Sequence, residues 1–148
     1  MDRIMFYKAS GEYGFLSNLY RSQVYLDDIE FPTAEHAYQY AKFRLKAAAD
    51  WAMQAPSAHL VAIVGHGLFA FDIVQDWSSI KVDRMRNVLY AKFTQNADLK
   101  VKLLETRDAL LIEASKTDAF WGLGKNNNGK NMLGKLLVEL RQELKSEI

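Results

Sequence analysis

Five leucines near the C-terminus, Leu133, Leu136, Leu137, Leu140 and Leu144, recur at the spacing of one helix face. That stripe constrains the fold more than any other feature. A helix from about Asn131 to Lys145 with one apolar side must lie against a second apolar layer supplied by upstream segments. The 148 residues hold one such core and not two, which predicts a single domain over 1–148. Met85, Leu89 and Phe93 mark a second long helix, capped by Ser78 or Ser79, and a shorter one covers about Asp98 to Glu105. Leu110-Leu111-Ile112 reads as a buried strand and Met5 to Ser10 as a short one closed by Ser10-Gly11.

Between these the pattern changes period. Gln23 to Phe31 reads as a hairpin in which Val24 and Leu26 alternate and Asp27-Asp28 turns the chain. Pro32-Thr33 then opens a helix with Thr33 as N-cap, predicted to run to about Ala49. Another helix is predicted from Ser57 to near Gly65. From Gly65 to Trp77 the pattern is compatible with loop, strand or buried turn. The fold class is therefore α+β, predominantly helical, with a small N-terminal hairpin or sheet.

Composition narrows the chemistry. Cysteine is absent, which removes disulfides, thiolate nucleophiles and cysteine metal sites together. A formal charge of +1 gives no whole-molecule field for nucleic acid or an acidic membrane. No apolar run approaches the roughly 18 residues of a membrane span. The opening Met1-Asp2-Arg3-Ile4-Met5-Phe6 lacks the pattern of a signal peptide, so a cytoplasmic location is expected. His59 and His66 lack a third ligand at metal spacing, and Ser17 stands in no Gly-x-Ser-x-Gly turn. Neither a metal nor a cofactor is expected.

Three segments carry candidate chemistry. In Phe31–Phe43, Glu35 and Lys42 stand seven positions apart. On one helix that puts them on nearly one face, about 10.5 Å apart along the axis, with Gln39 on the same side. A carboxylate and an amine facing one cleft suit acid–base or nucleophilic work. Equally, Glu35 favours the positive end of its helix and Lys42 reads as a solvated charge. The second segment, Asp118 to Gly134, is a glycine- and asparagine-rich loop opening into the last helix. Its backbone amides suit a phosphate, with Lys125 and Lys130 adding charge. Trp121 offers a face to a base, and Asp118 suits ribose hydroxyls or a water. In Gln75-Asp76-Trp77, Trp77 either lines a pocket or anchors the following helix.

Together and in this order, these segments resemble the NADAR superfamily, the group that includes the YbiA-like N-glycosidases. The marks are Gly14-Phe15-Leu16-Ser17-Asn18, Phe31-Pro32-Thr33-Ala34-Glu35-His36, Ala41-Lys42-Phe43, Asp76-Trp77 and Lys92-Phe93. Asp118-Ala119-Phe120-Trp121-Gly122, Gly129-Lys130-Asn131-Met132-Leu133-Gly134-Lys135 and Glu139-Leu140-Arg141 complete the set. The resemblance implies hydrolysis of a ribose C1–N bond. The substrate would be a phosphorylated ribosylamine of riboflavin synthesis or ADP-ribose on guanine in nucleic acid, with a non-catalytic NAD- or ADP-ribose-binding module as the alternative. It implies Glu35, Lys42 and Asp118 as catalytic residues. Asn18, Gln39, Trp77, Trp121, Gly122, Gly129, Lys130 and Asn131 would contact substrate. Lys42 would donate a proton or trap the opened sugar as a Schiff base. One stretch departs from the family. Gly65-His66-Gly67-Leu68-Phe69-Ala70-Phe71-Asp72 stands where basic residues are usual, so phosphate binding would fall to Lys125, Lys130, Arg84 or Arg86.

Overall fold

The computed structural model describes residues 2–147. They group into two compact units, Arg21–Gln95 and the residues that flank it, up to Tyr20 and from Asn96 on.

Strand β1 (Arg3–Phe6) belongs to the flanking residues, and the Arg21–Gln95 unit begins after it. Its own strands are β2 (Arg21–Leu26) and β3 (Ile29–Thr33), paired antiparallel with Val24 opposite Phe31 and Leu26 opposite Ile29. Asp27 and Asp28 join them at φ of 58° and 61°, the left-handed pair that a two-residue hairpin turn needs for its twist to match the strands. Helix α1 (Ala34–Tyr40) follows at once, because Thr33 is extended and its hydroxyl accepts from the His36 amide. Helix α2 is Lys46–Ala52, and α3, Ala58–His66, is capped by the Ser57 hydroxyl. A 3₁₀ turn covers Ala70–Asp72, and α4 spans Trp77–Gln95. Ala34 and Ala37 are fully buried, which lets α1 pack closely on α3 and α4 around Val61, Val88 and Leu89.

Two expectations fail here. The helix predicted to reach Ala49 stops at Tyr40, although Ala41-Lys42-Phe43-Arg44 contains no helix breaker. Instead the Lys42 carbonyl accepts from Val74 N, Arg44 N donates to Asp72 O, and Phe43 bridges antiparallel to Ile73. Phe43 is thereby buried with Ala49 and Ala52, and this packing outweighs local helix preference. Ser78 and Ser79 are no caps, for α4 already begins at Trp77, directly after Asp76 in a left-handed conformation.

In the flanking unit β1 (Arg3–Phe6) pairs in parallel with β4 (Leu110–Glu113), Arg3 opposite Leu110 and Phe6 opposite Glu113. The first strand starts earlier than Met5 and ends at Phe6, where the partner strand ends, and Tyr7 is exposed. Helix α5 is Ala97–Glu105 and α6 is Met132–Ser146. All five stripe leucines are buried, and α6 packs on β4 and α5. Gly134 permits that approach, since a side chain there would collide with the Leu111 carbonyl. Arg141 is buried and donates to Thr106 Oγ1 at 2.9 Å, a structural tie. Among the described residues no helix is long and apolar enough to cross a membrane.

Candidate active site

The Arg21–Gln95 unit gathers Glu35, Gln39, Lys42 and Gly65. Glu35 lies in the first turn of α1, half-buried, and Gln39 Nε2 donates to its Oε1 at 2.9 Å. Gln39 is 1% exposed, and its own Oε1 has no hydrogen-bond partner among the described residues. That oxygen lies against the Cα of Gly65, where any Cβ would overlap it. Lys42 donates from Nζ to the Gly65 carbonyl at 2.8 Å. One buried glycine on α3 is thus the seat of both the amide that orients the carboxylate and the amine. Lys42 gets there from beyond the end of α1, so the single-face geometry expected from seven-residue spacing is not the one that operates. Burial pushes the Lys42 amine below the usual lysine range; Glu35 opposes this and Lys81 adds to it. A lowered pKa makes the neutral amine, the form that can attack carbon, more available.

The neighbours are structural. His36 is fully buried, with Nδ1 2.7 Å from Thr33 Oγ1 and Nε2 3.0 Å from the Ala55 carbonyl. A carbonyl only accepts, so Nε2 carries the proton and Nδ1 accepts from the threonine hydroxyl. Desolvation lowers the His36 pKa, with the Ala55 bond opposing and Arg21 assisting, which fits that neutral tautomer. Trp77 is half-buried, its ring 5.3 Å from that of Tyr38. Arg84 and Arg86, expected as phosphate contacts, are engaged elsewhere. Arg84 bonds Asp27 at 2.6 Å and the Ala37 carbonyl, and Arg86 bonds Asp83 at 2.6 Å.

In the flanking unit the Asp118–Asn131 loop is organised from within. Asp118 Oδ1 accepts from the amides of Phe120 and Trp121 at 3.0 and 2.8 Å. The amides of Gly129, Lys130, Asn131, Met132 and Leu133 donate to the carbonyls of Leu123, Ala119, Gly122, Phe120 and Trp121 respectively. The amide cradle expected for a phosphate is therefore closed. Any anion there would meet the exposed side chains of Lys125 and Lys130 instead, the latter 5.4 Å from the Phe120 ring. Asn131 is also turned inward. At φ 51° its side chain donates to Leu111 O at 3.0 Å and accepts from Glu113 N at 2.9 Å, tying the start of α6 to β4. Gly122 and Gly129 have no room for side chains, the first because of the Glu113 carboxylate and the second because of three carbonyls. Trp121 is half-buried, edge-on to Phe120 at 4.8 Å, and Asn18 is buried. A cavity of about 930 Å³ on this unit is lined by Arg3, Tyr13, Phe15, Lys102 and Arg107, none of them a candidate catalytic or substrate-binding residue from the sequence.

One participant was missed, together with one buried charge. Gly65 looked like a helix stop, and only its contact with Gln39 reveals its role. Lys92 is fully buried on α4, with its pKa lowered to about 7 by desolvation. The signal was present, since Lys92 falls three residues after Leu89 and seven after Met85, on the apolar face. Among the described residues no group of three His, Cys, Asp or Glu side chains is placed to hold a metal.

The family model for the NADAR domain matches residues 5–145. The chain belongs to the NADAR family. N-glycosidase YbiA of Escherichia coli K12 is 38% identical over 144 residues, covering 97% of this chain and 89% of that one. An N-glycosidase of Nostoc punctiforme is 36% identical over 146 residues, covering 97% and 93%. A riboflavin biosynthesis protein of Vibrio vulnificus is 35% identical over 141 residues, which make up 95% of this chain and 38% of that protein. The NMR structure of E. coli YbiA matches the NADAR fold described here with a TM-score of 0.89 at 37% identity, over 99% of this chain and 86% of that one.

Proposed function

We propose that this NADAR protein cleaves the bond between ribose C1 and nitrogen in a substrate whose sugar carries phosphate, either a phosphorylated ribosylamine or an ADP-ribosyl group on guanine. That it is a hydrolase of N-glycosyl bonds follows from its identity to N-glycosidases across nearly the full length of both chains. The name of the Vibrio relative supports the ribosylamine.

The observation that carries the mechanism is the shared seat at Gly65 of a fixed carboxylate and a partly desolvated amine. Departure of nitrogen from C1 leaves oxocarbenium character on the sugar. A carboxylate held beside C1 stabilises that charge and takes a proton from the attacking group. Glu35 fills this role, with Gln39 holding it rather than touching substrate. Lys42 then either protonates the leaving nitrogen or bonds C1 through neutral Nζ. In the second route the C1–N bond breaks, a Schiff base forms with the opened sugar, and water returns the aldehyde and the amine. Trp77, whose ring lies against that of Tyr38 on α1, would offer a face to the substrate.

Replacing Glu35 by Gln keeps the shape and removes the base. The rate should fall at least about a hundredfold, the usual scale for a positioned acid or base. Turnover within a few-fold of wild type would take Glu35 out of the mechanism.

A further inference from the structure

The turn after α3 carries two phenyl rings that the reaction does not use. Phe69 and Phe71 are each 69% exposed, with ring planes within 7° of parallel and centroids 5.8 Å apart. Isolated exposed phenylalanines are ordinary, but two rings stacked in parallel at the surface present an aromatic face on which a further ring can stack. The turn is pinned. Phe69 N donates to Asp72 Oδ2, Asp72 N to Phe69 O, and Arg44 N to Asp72 O. Val74 N donates to the carbonyl of Lys42 itself. The rings therefore stand on a segment bonded to the backbone of the candidate catalytic lysine. Beside them Arg44, exposed, donates from Nε to the Phe71 carbonyl at 2.6 Å, which fixes a planar cation next to the aromatic face.

We propose that Phe69, Phe71 and Arg44 form a stacking site for an unpaired nucleobase of a single-stranded nucleic acid, with Arg44 on the adjoining phosphate. An aromatic face with a neighbouring cation is how sequence-tolerant single-strand sites work: every base has a π-face and every nucleotide a phosphate. An open surface site suits one base of a longer strand better than the base of a small nucleotide, which a protein ordinarily encloses. The net charge of +1 agrees with a local contact rather than a broad basic surface. The inference deepens the reading above, and rests on it, by naming the setting in which a base-linked ribosyl group would be met.

The test is fluorescence anisotropy of the whole protein with a labelled, unmodified twelve-nucleotide strand, alone and as a duplex, at low salt. Saturable binding to the single strand is expected, weakened on annealing. Phe69→Ala and Phe71→Ala should each lose about tenfold in affinity, and Phe71→Trp should retain it. Arg44→Gln should flatten the dependence of log K on log salt by about 0.7, one phosphate's worth on a single strand. Equal affinity for duplex, no saturable binding, or unchanged affinity in both alanine variants overturns the proposal. Both rings are exposed, so the fold is not at risk, and unchanged far-UV circular dichroism verifies it. Hydrolysis of a free ribosylamine phosphate reports separately on the catalytic reading. It should be unaffected by Phe69→Ala and lost in Glu35→Gln.

Discussion

Gly65→Ala is the sharpest perturbation of the proposed machinery, because Gly65 is buried and acts through the side chains packed on it. A Cβ at Gly65 would overlap Gln39 Oε1 and Cδ and stand 3.1 Å from Nε2, the atom that donates to Glu35. Gln39 is 1% exposed and cannot swing into solvent, so its amide must retreat along the cleft. A displacement of about 1 Å in a group that aims a catalytic carboxylate costs about a hundredfold in rate. The stability cost is smaller. Overpacking takes about 1–3 kcal/mol, and exchanging glycine for alanine inside α3 returns about 1 kcal/mol of helix propensity. The variant should therefore stay folded while kcat falls about a hundredfold and KM changes little. Initial rates alongside a urea titration separate the two effects. Because Gly65 is argued to act through Gln39, Gly65→Ala in a Gln39→Ala background should add almost nothing. A folded Gly65→Ala enzyme with kcat within threefold of wild type would refute the reasoning, as would full additivity of the two substitutions.

Three more outcomes follow from the same structure. Lys42 should react with an amine-selective reagent with a midpoint below that of an ordinary lysine. Glu35→Gln should move the midpoint lower still, since the carboxylate raises it; peptide mass spectrometry after labelling at stepped pH checks both. Lys92 is neutral in the fold above about pH 7 and charged in the unfolded chain up to about pH 10.5. Between those values the unfolded state binds the extra proton. Stability should therefore rise with pH by up to about 1.4 kcal/mol per unit from this group, and Lys92→Met should remove that slope in urea titrations at pH 7.5 and 9. Thr33→Ala removes the α1 cap and the partner of His36 Nδ1 together, so it should cost about 2 kcal/mol or more in thermal or urea unfolding.

What the sequence disclosed was local. The Asp27-Asp28 turn, the Thr33 cap, the helix start at Ser57 and the leucine stripe are short-range signals, each written within a few residues, and each appears where expected. Glu35 and Lys42 were recognisable by type and by motif. Their geometry was not, because it depends on pairing Lys42–Arg44 with Asp72–Val74, which no local pattern announces. For the same reason β4 was legible as a buried strand while its parallel partner β1 was placed two residues late at its start and four at its end. The amides of the Asp118–Asn131 loop looked available because glycine and asparagine permit open turns. In the fold the amides of Gly129 to Leu133 close on carbonyls six to twelve positions earlier, a choice made by backbone hydrogen-bond satisfaction.

The central claim is Glu35-dependent cleavage at ribose C1, and mass spectrometry of the products tests it most directly. Wild type and Glu35→Gln would be incubated with a ribosylaminopyrimidine phosphate, with ADP-ribosylated guanine DNA and with NAD. The account predicts a free base or amine together with ribose phosphate or ADP-ribose from at least one of the first two, absent with the variant. Tight binding without product from any of them, or equal product from the variant, would contradict it.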